Sequence, residues 1–222
     1  MPFALYLLGL AVFAQGTSEF MLSGLTPDIA RDLGVSVSAA GALTSAFAVG
    51  MVVGAPLTAV LGLRWPRRRA LLAFLVVFVL VHVAGALTTS FPVLVAARVV
   101  GALANAGFLA VGLATATSMV APDAKGRAAS VLLGGITLAC VVGVPAGALL
   151  GQALGWRAAF WAVALISLPA LLAIPRPTPT PERSTQPATE SGAGRSGARG
   201  ELGVLRRPGL LVVMVLGALV NG

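Results

Sequence analysis

The sequence predicts an all-α membrane protein: six membrane-spanning helices in an inverted three-plus-three repeat, followed by the start of a seventh helix. Hydrophobic residues make up 58% of the 222 positions and charged residues only 10%, with a mean hydropathy of +0.97. Soluble domains carry roughly 45–50% apolar and about 25% charged residues. The composition therefore excludes a soluble globular domain and a mainly disordered chain. The single cysteine excludes a disulfide framework.

Six stretches have the roughly 20 mostly apolar residues that a spanning helix needs. We number them spans 1 to 6, at residues 3–26, 37–63, 70–89, 91–120, 128–154 and 157–174. A seventh stretch, 209–222, has about 14 residues and is too short to cross a membrane. Residues 175–208 are rich in Pro, Thr, Ser, Gly and Arg, as in a flexible linker. We therefore expect a six-helix bundle over 1–174, a cytoplasmic linker over 175–208 and a truncated start of helix 7, so that the chain is the first of two six-helix halves.

Basic residues occupy alternate loops. Only Arg31 and Arg157 lie in the loops on one side, whereas twelve basic residues follow spans 2, 4 and 6. The twelve are Arg64, Arg67, Arg68, Arg69, Lys125, Arg127, Arg176, Arg183, Arg195, Arg199, Arg206 and Arg207. Because cytoplasmic loops carry an excess of Lys and Arg, this asymmetry predicts a multi-pass protein of the cell (plasma) membrane with a cytoplasmic N-terminus. The net charge of +8 thus reflects the orientation of the protein in the membrane. A nucleic-acid-binding surface would be clustered on a polar domain, and the sequence has no such domain.

Spans 2 and 5 contain related segments 89 residues apart. Residues 52–62 read VVGAPLTAVLG and residues 141–151 read VVGVPAGALLG, with seven of eleven positions identical. The shared positions include the pairs Gly54/Gly143, Pro56/Pro145 and Gly62/Gly151. Chance similarity between Gly-, Ala-, Val- and Leu-rich segments is the alternative, but the segments cross the membrane in opposite senses, as an inverted repeat predicts. Because proline kinks a helix, we hypothesise that Pro56 and Pro145 serve gates on opposite sides of one central site.

Four glycines of span 5 are spaced four residues apart and form one bare stripe on the helix: Gly143, Gly147, Gly151 and Gly155. Small residues allow helices to approach each other closely within a membrane. The stripe therefore predicts either close helix packing or the sliding surface of a gate.

Two charged residues lie inside the predicted spans. Glu19 belongs to a polar run in span 1, residues 15–19, and Arg98 lies in span 4. Each is seven residues from the outer end of its span, so both lie about 10 Å below the outer surface, at a depth where an ion pair is possible. We interpret them as proton-coupling or substrate-contacting groups, with a structural role as the alternative. Asn105 lies about two turns after Arg98 on the same helix face, and either lines the same cavity or joins two helices.

The sequence contains no catalytic or metal-binding constellation. His82 is isolated in span 3, where packing or a satisfied hydrogen bond is the simpler interpretation, and Cys140 in span 5 is interpreted as a small apolar filler. There is no metal-ligand cluster, no phosphate-binding glycine loop ending in lysine and no Ser/His/acid set. We therefore predict no enzymatic activity, no bound cofactor or metal, and no ATP-driven mechanism.

Four segments resemble the major facilitator superfamily, and within it the twelve-span drug:proton antiporters. Residues 17–20, Thr-Ser-Glu-Phe, are similar to the span-1 Thr-x-Glu-Phe run of the arabinose-efflux and chloramphenicol-efflux branch. Residues 143–161, GVPAGALLGQALGWRAAFW, resemble the span-5 antiporter motif of that branch. Residues 98–105 resemble the span-4 motif, whose arginine is implicated in proton coupling, and residues 54–72 resemble the motif of the 2–3 loop. Together the segments look most like actinobacterial chloramphenicol resistance exporters.

The loop segment departs from the superfamily pattern. Leu63 stands where an aspartate usually precedes the arginine at position 64, and Pro66 stands where a glycine usually precedes the basic run. The acidic partner of the usual latch between loop and helix is therefore missing. We expect the basic run of this loop to act as a topology anchor.

The resemblance implies proton-coupled efflux of a small amphipathic drug by alternating access, with chloramphenicol-type compounds favoured and the proton gradient as the energy source. Protonation of Glu19 would favour one state and substrate the other. Two alternatives remain, namely export of sugars or other metabolites on the same fold, and a truncated membrane fragment without transport. Since the missing C-terminal half would supply the other wall of the cavity, we do not expect this chain to transport alone. The implied partners are the drug substrate, protons and the lipid bilayer.

Overall fold

The structure, a computed structural model, describes residues 2–62 and 65–173, and within those ranges it consists of helices joined by short turns. The α-helices there are α1 (Phe3–Phe20), α2 (Leu22–Leu33), α3 (Val37–Gly62), α4 (Arg67–Leu87), α5 (Phe91–Ser118), α6 (Lys125–Leu138), α7 (Val144–Leu154) and α8 (Trp156–Ala173). A 3₁₀ turn at Pro122–Ala124 precedes α6, and a π-helical turn at Ala139–Gly143 joins α6 to α7. The predicted linker and seventh helix, 175–222, lie outside the described residues.

Five of the predicted spans are helices long and apolar enough to cross a membrane, judged by length and composition. They are Phe3–Phe20, Val37–Thr58, Arg67–Leu87, Phe91–Ser118 and Pro122–Leu154. The described part of span 6 is a shorter apolar helix, Trp156–Leu172. The all-helical membrane fold predicted from hydropathy is therefore confirmed for the described part of the chain.

Span 1 is shorter than the predicted residues 3–26, because its helix ends at Phe20. The Gly24 N–H, which would continue the ladder to the Phe20 carbonyl, donates instead to the Met21 carbonyl at 3.2 Å. The Ser23 hydroxyl takes its place and donates to the Phe20 carbonyl at 2.9 Å. A separate helix, α2, therefore follows.

The two repeated prolines have different local structures. α3 passes through Pro56 without interruption, and the Thr58 hydroxyl donates to a carbonyl one turn earlier at 2.7 Å. Pro145 instead follows the π-helical turn, in which the Val144 N–H donates to the Ala139 carbonyl five residues back. A wider turn ahead of a proline accommodates its ring and its missing N–H. The symmetry of the two prolines therefore holds in the sequence but not in the helix geometry.

The helices pack against each other as an inverted repeat requires. α3 packs along α5, and α6 with the π turn packs along α1, so span 2 meets span 4 as span 5 meets span 1. The close approaches are related in the same way. Gly54 faces Ala106, Gly143 faces Thr17, and each residue of one pair has its counterpart 89 positions away in the other pair. The tertiary structure therefore supports the internal repeat.

Two clusters of buried apolar side chains form the core, one in each half of the membrane-spanning bundle. The first includes Leu25, Phe78 and Phe160, and the second includes Leu5 and Phe108. The first cluster draws on α2 and on the beginning of α5, whereas the second draws on the beginnings of α1 and α6. Buried polar side chains lie beside the first cluster, and they form the candidate site.

Candidate functional site

A buried chain of polar side chains joins three helices. The Nη1 amino group of Arg98 in α5 donates to the Oγ atom of Ser18 in α1 at 2.9 Å. Ser18 Oγ lies 2.6 Å from Nε2 of His82 in α4, and His82 Nδ1 lies 2.7 Å from the carbonyl oxygen of Phe78. The three side chains are at most 3% exposed. These hydrogen bonds are therefore formed away from water, where a lost partner is most costly.

The chemistry of the partners sets the direction of each hydrogen bond. A carbonyl oxygen only accepts, so His82 Nδ1 carries a hydrogen and donates to Phe78. A guanidinium only donates, so Ser18 Oγ accepts from Arg98. In a neutral imidazole Nε2 is an acceptor, and it takes the hydroxyl hydrogen of Ser18. Ser18 Oγ thus accepts a hydrogen bond from Arg98 and donates one to His82.

The Arg98 guanidinium is hydrogen-bonded at one end only. Its Cζ atom lies 4.2 Å from the centre of the Phe47 ring in α3, a cation–π geometry. Its Nε and Nη2 atoms have no hydrogen-bond partner in the described part of the chain. Arg98 and Glu19 interact electrostatically, but they form no ion pair within 4.0 Å. The ion pair between Glu19 and Arg98, which their similar predicted depth made possible, is therefore not formed in this structure.

Glu19 is partly exposed, although it directly follows the buried Ser18. The Asn105 side chain, 5% exposed, lies near the Glu19 carboxyl group. Arg98 and Asn105 therefore both face Glu19 across the contact between α1 and α5. The structure brings together the three residues that the sequence identified as candidates, and their role in coupling stays a prediction.

The surroundings of Arg98 include residues that the sequence did not indicate. The sequence does not single out Ser18 or Phe47 as partners of Arg98, and for His82 it predicts only packing or a satisfied hydrogen bond. The hydrogen bond is present. The position of His82 in its span could have indicated that it lies near Arg98, because His82 is five residues before the end of α4. That places it about 7.5 Å from the helix end, near the predicted depth of Glu19 and Arg98.

Three of the four stripe glycines of span 5 pack against α1, α2 and the residue that joins them. The pairs are Gly143–Thr17, Gly147–Met21 and Gly151–Leu25. An added Cβ atom at Gly143 would collide with the Thr17 hydroxyl, so close packing accounts for this glycine. Gly155 does not belong to the contact. It ends α7 with a φ of 87°, a conformation that favours glycine, and an added Cβ atom there meets nothing within 4 Å.

The basic loop between α3 and α4 is described only in part. Arg64 lies outside the described residues, and the arginines at 67–69 are exposed at the start of α4. Arg67 Nη1 donates to the Ala114 carbonyl near the end of α5 at 3.5 Å. The loop thus contacts span 4 through a backbone carbonyl, and its function as a topology anchor stays a prediction.

A second polar cluster, which we call the loop cluster, joins three turns at the end of the bundle opposite to the basic loop. It consists of Asp32, Thr88, Trp156 and Arg157. Arg157 donates to Asp32 Oδ2 at 2.5 Å and to the Thr88 carbonyl at 3.1 Å, while Trp156 Nε1 donates to Asp32 at 3.2 Å. The hydrogen bond from Arg157 holds the pKa of the Asp32 carboxyl below its usual range, and the Trp156 bond and the Arg157 charge act in the same direction.

Cys140 is exposed, which corrects the prediction of a packed apolar filler. It lies in the π turn, where Ala139 and Gly143 are buried and Cys140, the residue after Ala139, is on the exposed side. In residues 2–62 and 65–173, no group of three or more His, Cys, Asp or Glu side chains is placed to hold a metal ion.

An apolar groove of about 510 Å³ lies between α1 and α6. Its lining residues are Tyr6, Gly9, Leu10, Phe13, Ser130, Val131, Gly134, Gly135, Leu138 and Val142. Phe13 precedes Glu19 by less than two turns of α1. One helix therefore contributes both an apolar surface and a partly exposed carboxyl group.

Apolar helices that carry a carboxyl and a guanidinium group within their spans are typical of polytopic transport proteins, in which such charges mark substrate, ion or proton pathways. The family model described as Major Facilitator Superfamily matches residues 8–222. The chain therefore belongs to the major facilitator superfamily, as its motifs indicated.

Known relatives of the chain are about twice as long. The chloramphenicol resistance protein of Streptomyces lividans is 59% identical over 100% of this chain and 55% of that protein. The inner membrane transport protein YdhP of Escherichia coli (strain K12) is 36% identical over 97% of this chain and 54% of its own length. The chain thus spans about half the length of these relatives.

A solved structure shows the same fold. The proton:xylose symporter XylE, a major facilitator protein bound to 6-bromo-6-deoxy-D-glucose, matches with a TM-score of 0.67 and 17% sequence identity. The match covers 78% of this chain and 44% of that chain. At this identity the likeness concerns the fold alone.

Proposed function

We propose that the chain forms the N-terminal half of a proton-coupled exporter of small amphipathic drugs. The observation that carries the proposal is the placement of Glu19, a partly exposed carboxyl group inside span 1, beside Arg98 and Asn105. A carboxyl group in such a position takes up a proton from one side and releases it to the other when its cavity opens alternately to the two sides.

Chloramphenicol-type compounds are the favoured substrates in this proposal. The Streptomyces lividans relative, 59% identical along the whole chain, is described as a chloramphenicol resistance protein. The apolar groove beside α1 supports an amphipathic substrate, since sites for small molecules combine apolar walls with a few polar groups.

Transport in this proposal requires a second six-helix half. Protonation of Glu19 favours one state of the bundle and drug the other, and each ligand acts only through its different affinity for the two states. The second half supplies the opposite wall of the cavity. The protein lies in the plasma membrane with its N-terminus in the cytoplasm, and this orientation is supported by the basic residues at positions 67–69, which begin α4 at the proposed cytoplasmic end.

The test joins this chain to the second half of the Streptomyces lividans relative in a drug-sensitive bacterium. We expect lower chloramphenicol accumulation, and we expect a protonophore or the substitution Glu19→Gln to abolish the difference. Asp28→Asn is the matched control, because this carboxyl belongs to α2, outside the spans, and pairs with Arg31 on the same helix. Full efflux by the Glu19→Gln protein would contradict the proposal. The 222-residue chain alone should leave accumulation unchanged.

A competition series addresses the substrate class. If the joined protein is an exporter of sugars or other metabolites that also accepts the drug, an excess of the true substrate restores drug accumulation. If it exports such metabolites alone, it gives no drug resistance. Resistance confined to chloramphenicol-type and similar amphipathic compounds supports the proposal.

A further inference from the structure

We propose that Ser18 and His82 form a tether that holds Arg98 away from Glu19, which leaves Glu19 free to take up a proton. The inference deepens the proposed function and rests on it, since it takes Glu19 as the proton-coupling group. The word tether denotes these two side chains and the hydrogen bonds that join them to Arg98 and to each other.

Arg98 has an unmet capacity for hydrogen bonds. Its Nε and Nη2 atoms have no partner in the described part of the chain, although the residue is only 3% exposed. Unsatisfied donors at such a place are costly, and a carboxylate is the strongest partner a guanidinium can take, with two parallel hydrogen bonds. Glu19 is within electrostatic range of Arg98, yet no ion pair within 4.0 Å is formed. Something must therefore restrain the guanidinium.

Ser18 supplies the restraint. Its hydroxyl oxygen accepts from Arg98 Nη1 at 2.9 Å, and this is the hydrogen bond that the guanidinium makes. The Phe47 ring, 4.2 Å from Arg98 Cζ, supports the guanidinium from α3. Ser18 and Glu19 are neighbours in α1, so their side chains point about 100° apart around the helix axis. A guanidinium bound to Ser18 is thus held on a different face of α1 from Glu19.

His82 keeps the Ser18 hydroxyl in the orientation that binds Arg98. Its Nδ1–H is bound to the Phe78 carbonyl, so Nε2 accepts the Ser18 hydrogen at 2.6 Å and the lone pairs of Ser18 Oγ remain for Arg98. Without this acceptor, a serine hydroxyl in a helix turns to a carbonyl of the preceding turn. The imidazole is fixed by the Phe78 and Phe160 rings, whose centres lie 4.1 and 5.7 Å from its own.

Few other charged or titratable groups face Glu19. In the described ranges, α5 contributes Arg98 and α4 contributes His82 within the membrane-spanning length. The π turn beside α1 contributes Cys140, which is exposed. The remaining charges in the described ranges lie in α2 or near the ends of the spans: Asp28, Arg31, Asp32, Arg67, Arg68, Arg69, Asp123, Lys125, Arg127 and Arg157. Among the charged groups in the described ranges, Arg98 is therefore the one that acts on Glu19.

The decisive measurement is infrared spectroscopy of the 222-residue chain in lipid nanodiscs over a pH series. The band of the protonated Glu19 carboxyl is assigned by its loss in Glu19→Gln. In Ser18→Ala we expect Arg98 to close on Glu19, so that at a given pH the ratio of protonated to ionised Glu19 falls about tenfold, the effect of one close opposite charge. His82→Phe should shift the ratio in the same direction by less, and His82→Gln, which retains an acceptor for Ser18, should keep the parent ratio.

Ser167→Ala is the matched control, because Ser167 is fully buried in α8 and its hydroxyl donates to the Val163 carbonyl at 2.8 Å, away from Arg98. It should keep the parent ratio. An unchanged or higher ratio in both Ser18→Ala and His82→Phe would overturn the tether, provided that circular dichroism shows the parent helix content in either variant. Failure of the proposed function has a different signature: the Glu19→Gln protein still exports drug in the cell assay, whatever the infrared ratios are.

Discussion

Gly143 lies so close to Thr17 that even a methyl group at the glycine would collide with the threonine hydroxyl. The internal repeat relates this contact to that of Gly54 with Ala106, where an added Cβ atom would lie 3.0 Å from the alanine Cβ. Each repeat unit thus has a glycine of its middle helix pressed against the first helix of the other unit. Close approach of this kind stabilises helix pairs in membranes through van der Waals contact.

The first prediction concerns this contact. Gly143→Ala should lower the free energy of unfolding by about 1–3 kcal/mol, because an extra carbon in a packed contact forces its neighbours apart. The measurement is unfolding of the chain in mixed detergent micelles, followed by circular dichroism. Gly134→Ala is the control in the same span, since an added Cβ atom there meets nothing within 4 Å. That control should be neutral or slightly more stable.

A compensating change sharpens the same test. Thr17→Ala removes the hydroxyl oxygen that lies nearest to the added carbon, so the double variant should recover part of the stability lost in Gly143→Ala. Equal stability of Gly143→Ala and Gly134→Ala would show that the contact is not tight.

The second prediction concerns pH and the loop cluster. The pKa of Asp32 lies below its ordinary value of 3.8, chiefly because of the hydrogen bond from Arg157. A carboxyl group with a lowered pKa in the folded state contributes stability that is present above the pKa of the unfolded chain. That contribution is lost as the pH falls through the folded pKa, hence below 3.8.

Asp32→Asn should therefore be less stable than the parent at pH 7, by about 1 kcal/mol or less because the pair is partly exposed. The difference should shrink as the pH falls below 3.8. Unfolding measured from pH 7 to pH 3 checks this, with Asp28→Asn as the control, since that carboxyl pairs with Arg31 within one helix. A difference that grows on acidification is the contrary outcome.

The third prediction concerns the ring beneath Arg98. Phe47→Leu should destabilise the fold more than Phe108→Leu, although both rings are at most 2% exposed. The excess, about 1–2 kcal/mol, is the cation–π attraction of a guanidinium that is shielded from water. In an Arg98→Met background the excess should disappear, which a double-mutant cycle of unfolding free energies measures. A persistent excess would assign the effect to packing alone.

The fourth prediction concerns the repeated prolines in the joined transporter. Pro56→Ala and Pro145→Ala should each reduce drug efflux severalfold at equal protein level, if the two prolines serve opposite gates. Pro92→Ala is the control, because Pro92 lies in the first turn of α5, where a missing N–H leaves no helix bond unmade. Immunoblots report the protein level, and parent-like efflux in either gate variant contradicts the hypothesis.

The residues of the site show how far the sequence reached. Glu19 and Arg98 were identifiable because a charge within an apolar stretch stands out locally. Counting along the helix gave the position of Arg98 in α5, but the count for Glu19 assumed a span ending at Thr26, whereas α1 ends at Phe20. Their separation beyond 4.0 Å was not identifiable, because equal depth does not fix the rotation of a helix. Spans rich in Ala, Leu, Val and Gly have no strongly marked polar face that would indicate the rotation. Ser18 and Phe47 were missed for the same reason.

The sequence by itself determined the class of fold, the number and approximate positions of the spans, the internal repeat and the resemblance to the family. These properties are sums over consecutive residues, or matches between segments, and they need no knowledge of which helices touch. Only the tertiary structure decided that Arg98 binds Ser18, that His82 orients that serine, and that Asp32 meets Arg157 across the turns. Such contacts depend on the register and rotation of helices that are far apart in the sequence. A small change in the register or the rotation of one helix brings a different residue into contact.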